Sequence, residues 1–252
     1  MRFNIADVKN EVVDLCGVGP IITGSTITQE GYPIGMIYGY EADGIYQTQE
    51  EIDNGPTQFG TILPGYVKYK NQNPEEDNVI DEKDRVIIGD PFPRYSYGLN
   101  LGLTYKGFDV SVYFEGIGKR DVMLTQDLVQ PLNNNGNISK WYLEHAWSET
   151  NTGAKYPLIS TLGQANNYAA SSQWVFDASY FRLRNLTVGY SVPQSWIKNK
   201  VLNNLRVYFS GANLFTTSNL PDGIDPMTKN DNNGGDIYPF TSTYTFGFEL
   251  KF

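Results

Sequence analysis

Arg94-Tyr-Ser-Tyr-Gly-Leu-Asn-Leu-Gly-Leu-Thr-Tyr-Lys106 decides the fold of this chain. Tyr95, Tyr97, Leu99, Leu101, Leu103 and Tyr105 fall on every second residue, with Ser96, Gly98, Asn100, Gly102 and Thr104 between them. Successive side chains of a strand point to opposite faces, so the stretch predicts a strand of about 11 residues with one apolar and one polar face. That length, tilted, crosses a bilayer, whereas strands of water-soluble domains cluster near about 5–6 residues.

The same period recurs along the chain. Lys106-Gly107 reads as a tight turn, after which Phe108, Val110, Val112 and Phe114 alternate with Asp109, Ser111, Tyr113 and Glu115 to complete a hairpin. Tyr180-Phe-Arg-Leu-Arg-Asn-Leu-Thr-Val-Gly-Tyr190 sets Leu186, Val188 and Tyr190 against Asn185, Thr187 and Gly189, and Pro193 stops it. Residues 194–203 read as a short helical turn leading into Leu205-Arg-Val-Tyr-Phe-Ser-Gly-Ala-Asn-Leu-Phe215. The last strand, Thr243-Tyr-Thr-Phe-Gly-Phe-Glu-Leu-Lys-Phe252, places Tyr244, Phe246, Phe248, Leu250 and Phe252 on one face. Between strands lie long polar connections, 43–90, 119–173 and 218–239, the second carrying a short amphipathic helix around Ile138-Ser-Lys-Trp-Tyr-Leu-Glu-His-Ala-Trp147.

Alternation alone fits a sandwich or a barrel, since either buries one face. Strand length, aromatic residues near strand ends (Tyr95, Tyr105, Tyr190, Tyr244) and long connections favour an all-β, antiparallel transmembrane β-barrel segment with long extracellular loops and short turns. The alternative is a soluble β-sandwich carbohydrate-binding module.

Composition narrows function. The 252 residues carry 28 acidic and 19 basic side chains, a net charge of -9, which argues against a nucleic-acid partner needing a basic face. One cysteine, Cys16, excludes an internal disulfide and is expected as a small buried apolar residue. His145 is the sole histidine, so any Ser-His-Asp or Cys-His arrangement would have to include it, and no residue is read as catalytic. A glycoside hydrolase would need two acids paired across a cleft, and nothing in the sequence pairs them. No apolar run reaches the ~18 residues of a membrane helix, which leaves only strands for crossing lipid. The opening Met1-Arg-Phe-Asn-Ile-Ala-Asp7 lacks the apolar core of a secretory signal, so on the barrel reading Met1 is an internal start.

Asn73-Pro-Glu-Glu-Asp-Asn-Val-Ile-Asp-Glu-Lys-Asp84 has the spacing of a calcium loop: Asn73, Glu75, Asp77, the Val79 carbonyl, Asp81 and Asp84 alternate, with Ile80 as apolar anchor. It departs from the pattern at Asn73 in place of Asp, at Asn78 in place of the turn glycine, and at Asp84 in place of the longer Glu. A Ca²⁺ site and a solvated acidic loop both remain open readings.

Several ordered segments resemble the C-terminal region of SusC/RagA-type TonB-dependent transporters of Bacteroidetes. They are Gly31-Tyr-Pro-Ile-Gly-Met-Ile-Tyr-Gly-Tyr40 with Asp43-Gly-Ile-Tyr-Gln47, Pro64-Gly-Tyr-Val-Lys-Tyr-Lys70 leading to Ile80-Asp-Glu-Lys-Asp-Arg-Val-Ile-Ile-Gly89, Asp177-Ala-Ser-Tyr-Phe-Arg-Leu-Arg-Asn-Leu-Thr-Val-Gly-Tyr190, and Gly211-Ala-Asn-Leu-Phe215. The resemblance implies that residues 1–252 are the C-terminal portion of a large outer-membrane barrel, without its plug and earlier strands. It further implies import of oligosaccharides or peptides, a SusD-like surface lipoprotein as partner, and energy from the TonB complex acting through the missing plug. Phe252 then resembles the aromatic terminus read by the barrel assembly machinery. Arg182, Arg184 and Arg206 are expected away from lipid, where arginine is costly. Trp141, Trp147 and Trp174 are expected as interface anchors rather than sugar-stacking platforms.

Overall fold

The computed structural model of the chain describes residues 1–162, 164–197, 202–227 and 240–252. It begins with β1 (Arg2–Ala6), followed by β2 (Ile21–Thr23), β3 (Thr26–Thr28), β4 (Met36–Tyr40), β5 (Ala42–Ile45), α1 (Gln49–Asn54), β6 (Val67–Tyr69) and β7 (Arg85–Gly89). The hairpin of β8 (Arg94–Tyr105) and β9 (Phe108–Lys119) follows, then β10 (Asp121–Met123), α2 (Lys140–His145), α3 (Gln164–Asn167) and β11 (Val175–Asp177). The last three strands are β12 (Tyr180–Ser191), β13 (Asn204–Ser218) and β14 (Thr243–Lys251). No helix among the described residues is long and apolar enough to cross a membrane.

Six strands form one antiparallel sheet in the order β1-β8-β9-β12-β13-β14. At one end the connections are short. Lys106 and Gly107 close the β8–β9 hairpin with φ of 47° and 86°, both positive as a two-residue turn that matches strand twist requires. The β12–β13 connection includes the 3-10 turn Gln194–Trp196, and residues 198–201 of the expected helical turn lie outside the described residues. At the other end sit all the long connections, 7–93, 120–179 and 219–242.

Register carries the alternation across the whole sheet. Leu103 opposes Val110, Val110 opposes Val188, Val188 opposes Phe209 and Phe209 opposes Phe246, giving one apolar row over five strands. One residue along, Gly102, Ser111, Thr187, Ser210 and Thr245 form the matching polar row. In β12 the apolar positions change parity, Phe181 and Leu183 being odd and Leu186, Val188 and Tyr190 even. The structure resolves this with a bulge between Leu183 and Asn185, opposite an irregularity at Asn213, whose φ is 53°. The extra residue returns the second half of the strand to its face.

Among the described residues nothing covers the apolar face. Phe246 is 82% exposed, Phe248 69% and Leu103 67%. Leaving one such side chain in water forfeits about 1.5–3 kcal/mol, so a row of them amounts to as much as the whole ~5–15 kcal/mol stability of an ordinary domain. The sandwich reading, which needs a second sheet on this face, is therefore not met. At about 3.3 Å per residue a 12-residue strand is some 40 Å long, and a tilt near 40° reduces that to about 30 Å, the hydrocarbon thickness.

The buried core lies in the connections, which the sequence marked only as polar loops. Val122, Met123, Leu124, Tyr142, Tyr156, Trp174 and Phe176 pack into one cluster, and Val67, Tyr69 and Ile80 into another. Trp174 stacks against Tyr168, Tyr142 and Tyr156 at ring separations of 5.5, 6.0 and 5.8 Å, and its indole N–H donates to the Asn167 carbonyl at 2.7 Å. Buried amides fix the short strands: Gln58 Nε2 donates to the Val67 carbonyl at 3.0 Å, and Val67 N donates to Asn167 Oδ1 at 3.0 Å. Trp147 and Trp174 are thus core residues, not interface anchors; their N–H groups find protein acceptors, Trp147 on Gln47 Oε1 at 2.9 Å. Cys16, expected buried, is exposed in a turn with φ of 55°.

Burial pushes the Tyr168 phenol up to about 12, against an ordinary value of 10.0, and drives Tyr142 and Tyr69 in the same direction. Folding therefore favours the neutral phenols. For Tyr168 that contribution is fully present below pH about 10 and is lost as pH rises through about 12. An alkaline titration followed by phenolate absorbance and loop proteolysis is expected to open the loop body in that window, with strand content unchanged.

Candidate functional site

The polar face of the sheet is organised by ion pairs running across strands. Arg206 donates to both carboxylate oxygens of Asp109, at 2.9 and 2.7 Å, and to Glu249 at 3.1 Å, linking β9, β13 and β14. The Asp109 bridge passes over β12 at Gly189, where an added Cβ would stand 2.6 Å from Arg206 Nε and from Asp109 Oδ1. Nearer the loops, the bulged Arg184 donates to Asn213 Oδ1 at 2.9 Å and faces Glu115 at 3.8 Å. Between these groups Thr187 and Ser210 share a hydroxyl contact of 3.2 Å. A surface of this kind faces water or protein, because unpaired charge in hydrocarbon is expensive.

Arg182 is fully buried where the strands meet the third long connection. Its guanidinium pairs with Asp225, donates to Thr216 Oγ1 at 2.9 Å, and lies over the Tyr180 and Phe240 rings at 5.3 and 5.1 Å. It ties the segment around Asp225 to the ends of β12 and β13. All three arginines avoid the apolar face, as the sequence implied.

In the loop 73–84 three of the acids are hydrogen-bonded to backbone amides. Asp84 is buried, with Oδ1 accepting from Gln72 N at 2.7 Å and Oδ2 from Asp81 N at 2.8 Å. Asp81 accepts from Lys83 N at 2.7 Å and completes a capping box with Asp84, while Asp77 accepts from Val79 N at 3.1 Å. Asn73 donates from its side chain to Glu76 at 3.3 Å, and its Oδ1 is buried without a partner among the described residues. Glu75 and Val79 point outward, and Ile80 is the buried anchor the spacing predicted. No three Asp, Glu, His or Cys side chains converge as a metal site among the described residues. The carboxylates of Asp77, Asp81 and Asp84 thus accept from backbone amides and cap the turn. His145 Nδ1 contacts the Trp141 carbonyl at 2.7 Å, an intrahelical contact.

The Arg206 bridge gives a direct test. Gly189→Ala is expected to displace the guanidinium and cost about 1 kcal/mol or less, the scale of a partly exposed pair. In an Arg206→Ala background the same substitution should cost less, because the bridge is already gone and an unpaired Asp109 carboxylate can turn aside. Unfolding midpoints of the four proteins in detergent check the coupling.

No protein-family model matches the chain. TonB-dependent receptor P3 of Formosa agariphila is 33% identical over 271 residues, covering 99% of this chain and 26% of that protein. TonB-dependent receptor SusC of Bacteroides thetaiotaomicron is 27% identical over 216 residues, covering 85% of this chain and 20% of that protein. The RagAB peptide importer in its open-open state superposes with a TM-score of 0.73 at 24% identity, over 99% of this chain and 26% of that one. The chain thus spans about a quarter of the length of the relatives it matches. Sequence similarity over nearly the whole chain, joined to a sheet with one bare apolar and one ionic face, makes this chain a β-barrel segment belonging to the SusC/RagA-type TonB-dependent transporters.

Proposed function

We propose that the chain forms part of the outer-membrane wall of an importer that moves a bulky nutrient, an oligosaccharide or a peptide, without bond chemistry. The observation carrying this reading is the apolar row from Leu103 to Phe246, bare on a sheet whose other face holds the Asp109–Arg206–Glu249 bridges. Lipid covers the first face and a polar pathway the second. Each edge strand of the sheet, β1 and β14, has only one neighbour among the described strands, so on this reading closing a barrel takes further strands, such as the unmatched part of the longer relatives has room for. On this reading the segment is the C-terminal portion of that barrel, the long connections face the cell exterior, and a SusD-like lipoprotein meets them. Energy then comes from the TonB complex through a plug.

Deleting the gene that carries this chain is expected to abolish growth on at least one oligosaccharide or peptide mixture, and collapsing the proton gradient should stop uptake of the same nutrient. Unchanged growth across such a panel would contradict the proposal.

A further inference from the structure

Between α2, the 3-10 turn Gln126–Leu128 and residues 222–224 lies a cleft of about 310 Å³. Its floor is Leu128, Trp141 and Ile224, three side chains anchored by packing on the loop core. Its rim carries Asp127, Glu144 and Asp222. Lys140 also lies there, but it pairs with Glu144 at 3.6 Å, so acid remains in excess.

We infer that this cleft receives a basic side chain, lysine or arginine, of a cationic peptide; the inference deepens the importer reading and rests on it. The volume is at the lower end for ligand pockets, which suits one long side chain better than an oligosaccharide. A lysine or arginine is apolar along its stem and charged at its tip, matching an aliphatic and indole floor beneath an acidic rim. The Trp141 face adds attraction for a cation that a neutral sugar does not share.

Charge distribution beyond the cleft supports the same ligand. The described residues of the three long connections hold 23 of the chain's 28 acidic residues but 8 of its 19 basic ones. All three lie at one end of the sheet, so their field draws cations to the side where the cleft opens and repels anions.

The test uses the intact transporter in detergent and two fluorescent peptides identical except that lysine in one is norleucine in the other. At low salt the lysine peptide is expected to bind about tenfold more tightly. Asp222→Asn, an exposed change that spares the core, should remove several-fold of that preference, and Trp141→Leu should weaken both peptides. Raising salt to ~1 M, where screening acts within about 3 Å, should shrink the difference. Equal binding of the two peptides, or a lysine preference untouched by Asp222→Asn and Asp127→Asn, overturns the inference. So does a neutral oligosaccharide that binds with an affinity sensitive to Trp141→Leu and indifferent to Asp222→Asn. In each case nutrient-dependent growth of the parent strain still reports separately on import, so failure here leaves that reading standing.

Discussion

Backbone amides inside hydrocarbon have no water to bond to, and this constraint shapes the rest of the molecule. A strand can enter lipid only if its N–H and C=O groups are met by neighbours along its length. For β9 and β12, which have long neighbours on both sides, that condition is met by antiparallel registers that shift only at the β12 bulge. Once the backbone is paired, the two-residue repeat of side chains decides which face meets lipid. The bulge at Arg184 exists because a single parity error would otherwise turn half of β12 inside out.

Long connections would be a liability for such a sheet, and here they build a second, conventional core. Aromatic rings around Trp174 supply its volume, and Gln58, Asn166 and Asn167 supply hydrogen bonds that short strands cannot make alone. Arg182 joins the two regions: it is rooted in β12, yet its partner Asp225 belongs to the third connection. A buried arginine left without that carboxylate would be costly, so the pair fixes where the connection leaves the strands. The result is a packed, acidic loop body on a wall with one apolar and one ionic face.

The strands were legible in the sequence because period two is a strong signal over ten or more residues, as in Tyr95 to Tyr105. The β12 bulge was harder to see: Phe181 and Leu183 look out of phase until the register is known. The loop core was missed because its strands, such as Val67–Tyr69, are three residues long and surrounded by Asn, Asp and Gly. Its hydrogen bonds join residues about a hundred positions apart, as between Val67 and Asn167, and no local pattern reports that. In the loop 73–84 the spacing of the acids was readable, but spacing does not say whether a carboxylate meets a cation or a backbone amide. Asp84 meets two amides.

The central claim is that hydrocarbon covers the face bearing Tyr244, Phe246, Phe248 and Leu250. Spin labels placed singly from residue 244 to 250 in the membrane-embedded protein test it, with an oil-soluble and a water-soluble relaxant as reporters. Strict alternation is expected, even positions relaxed by the oil-soluble agent and odd positions by the aqueous one. Uniform protection from both agents, or preference for the aqueous agent at the even positions, would contradict it.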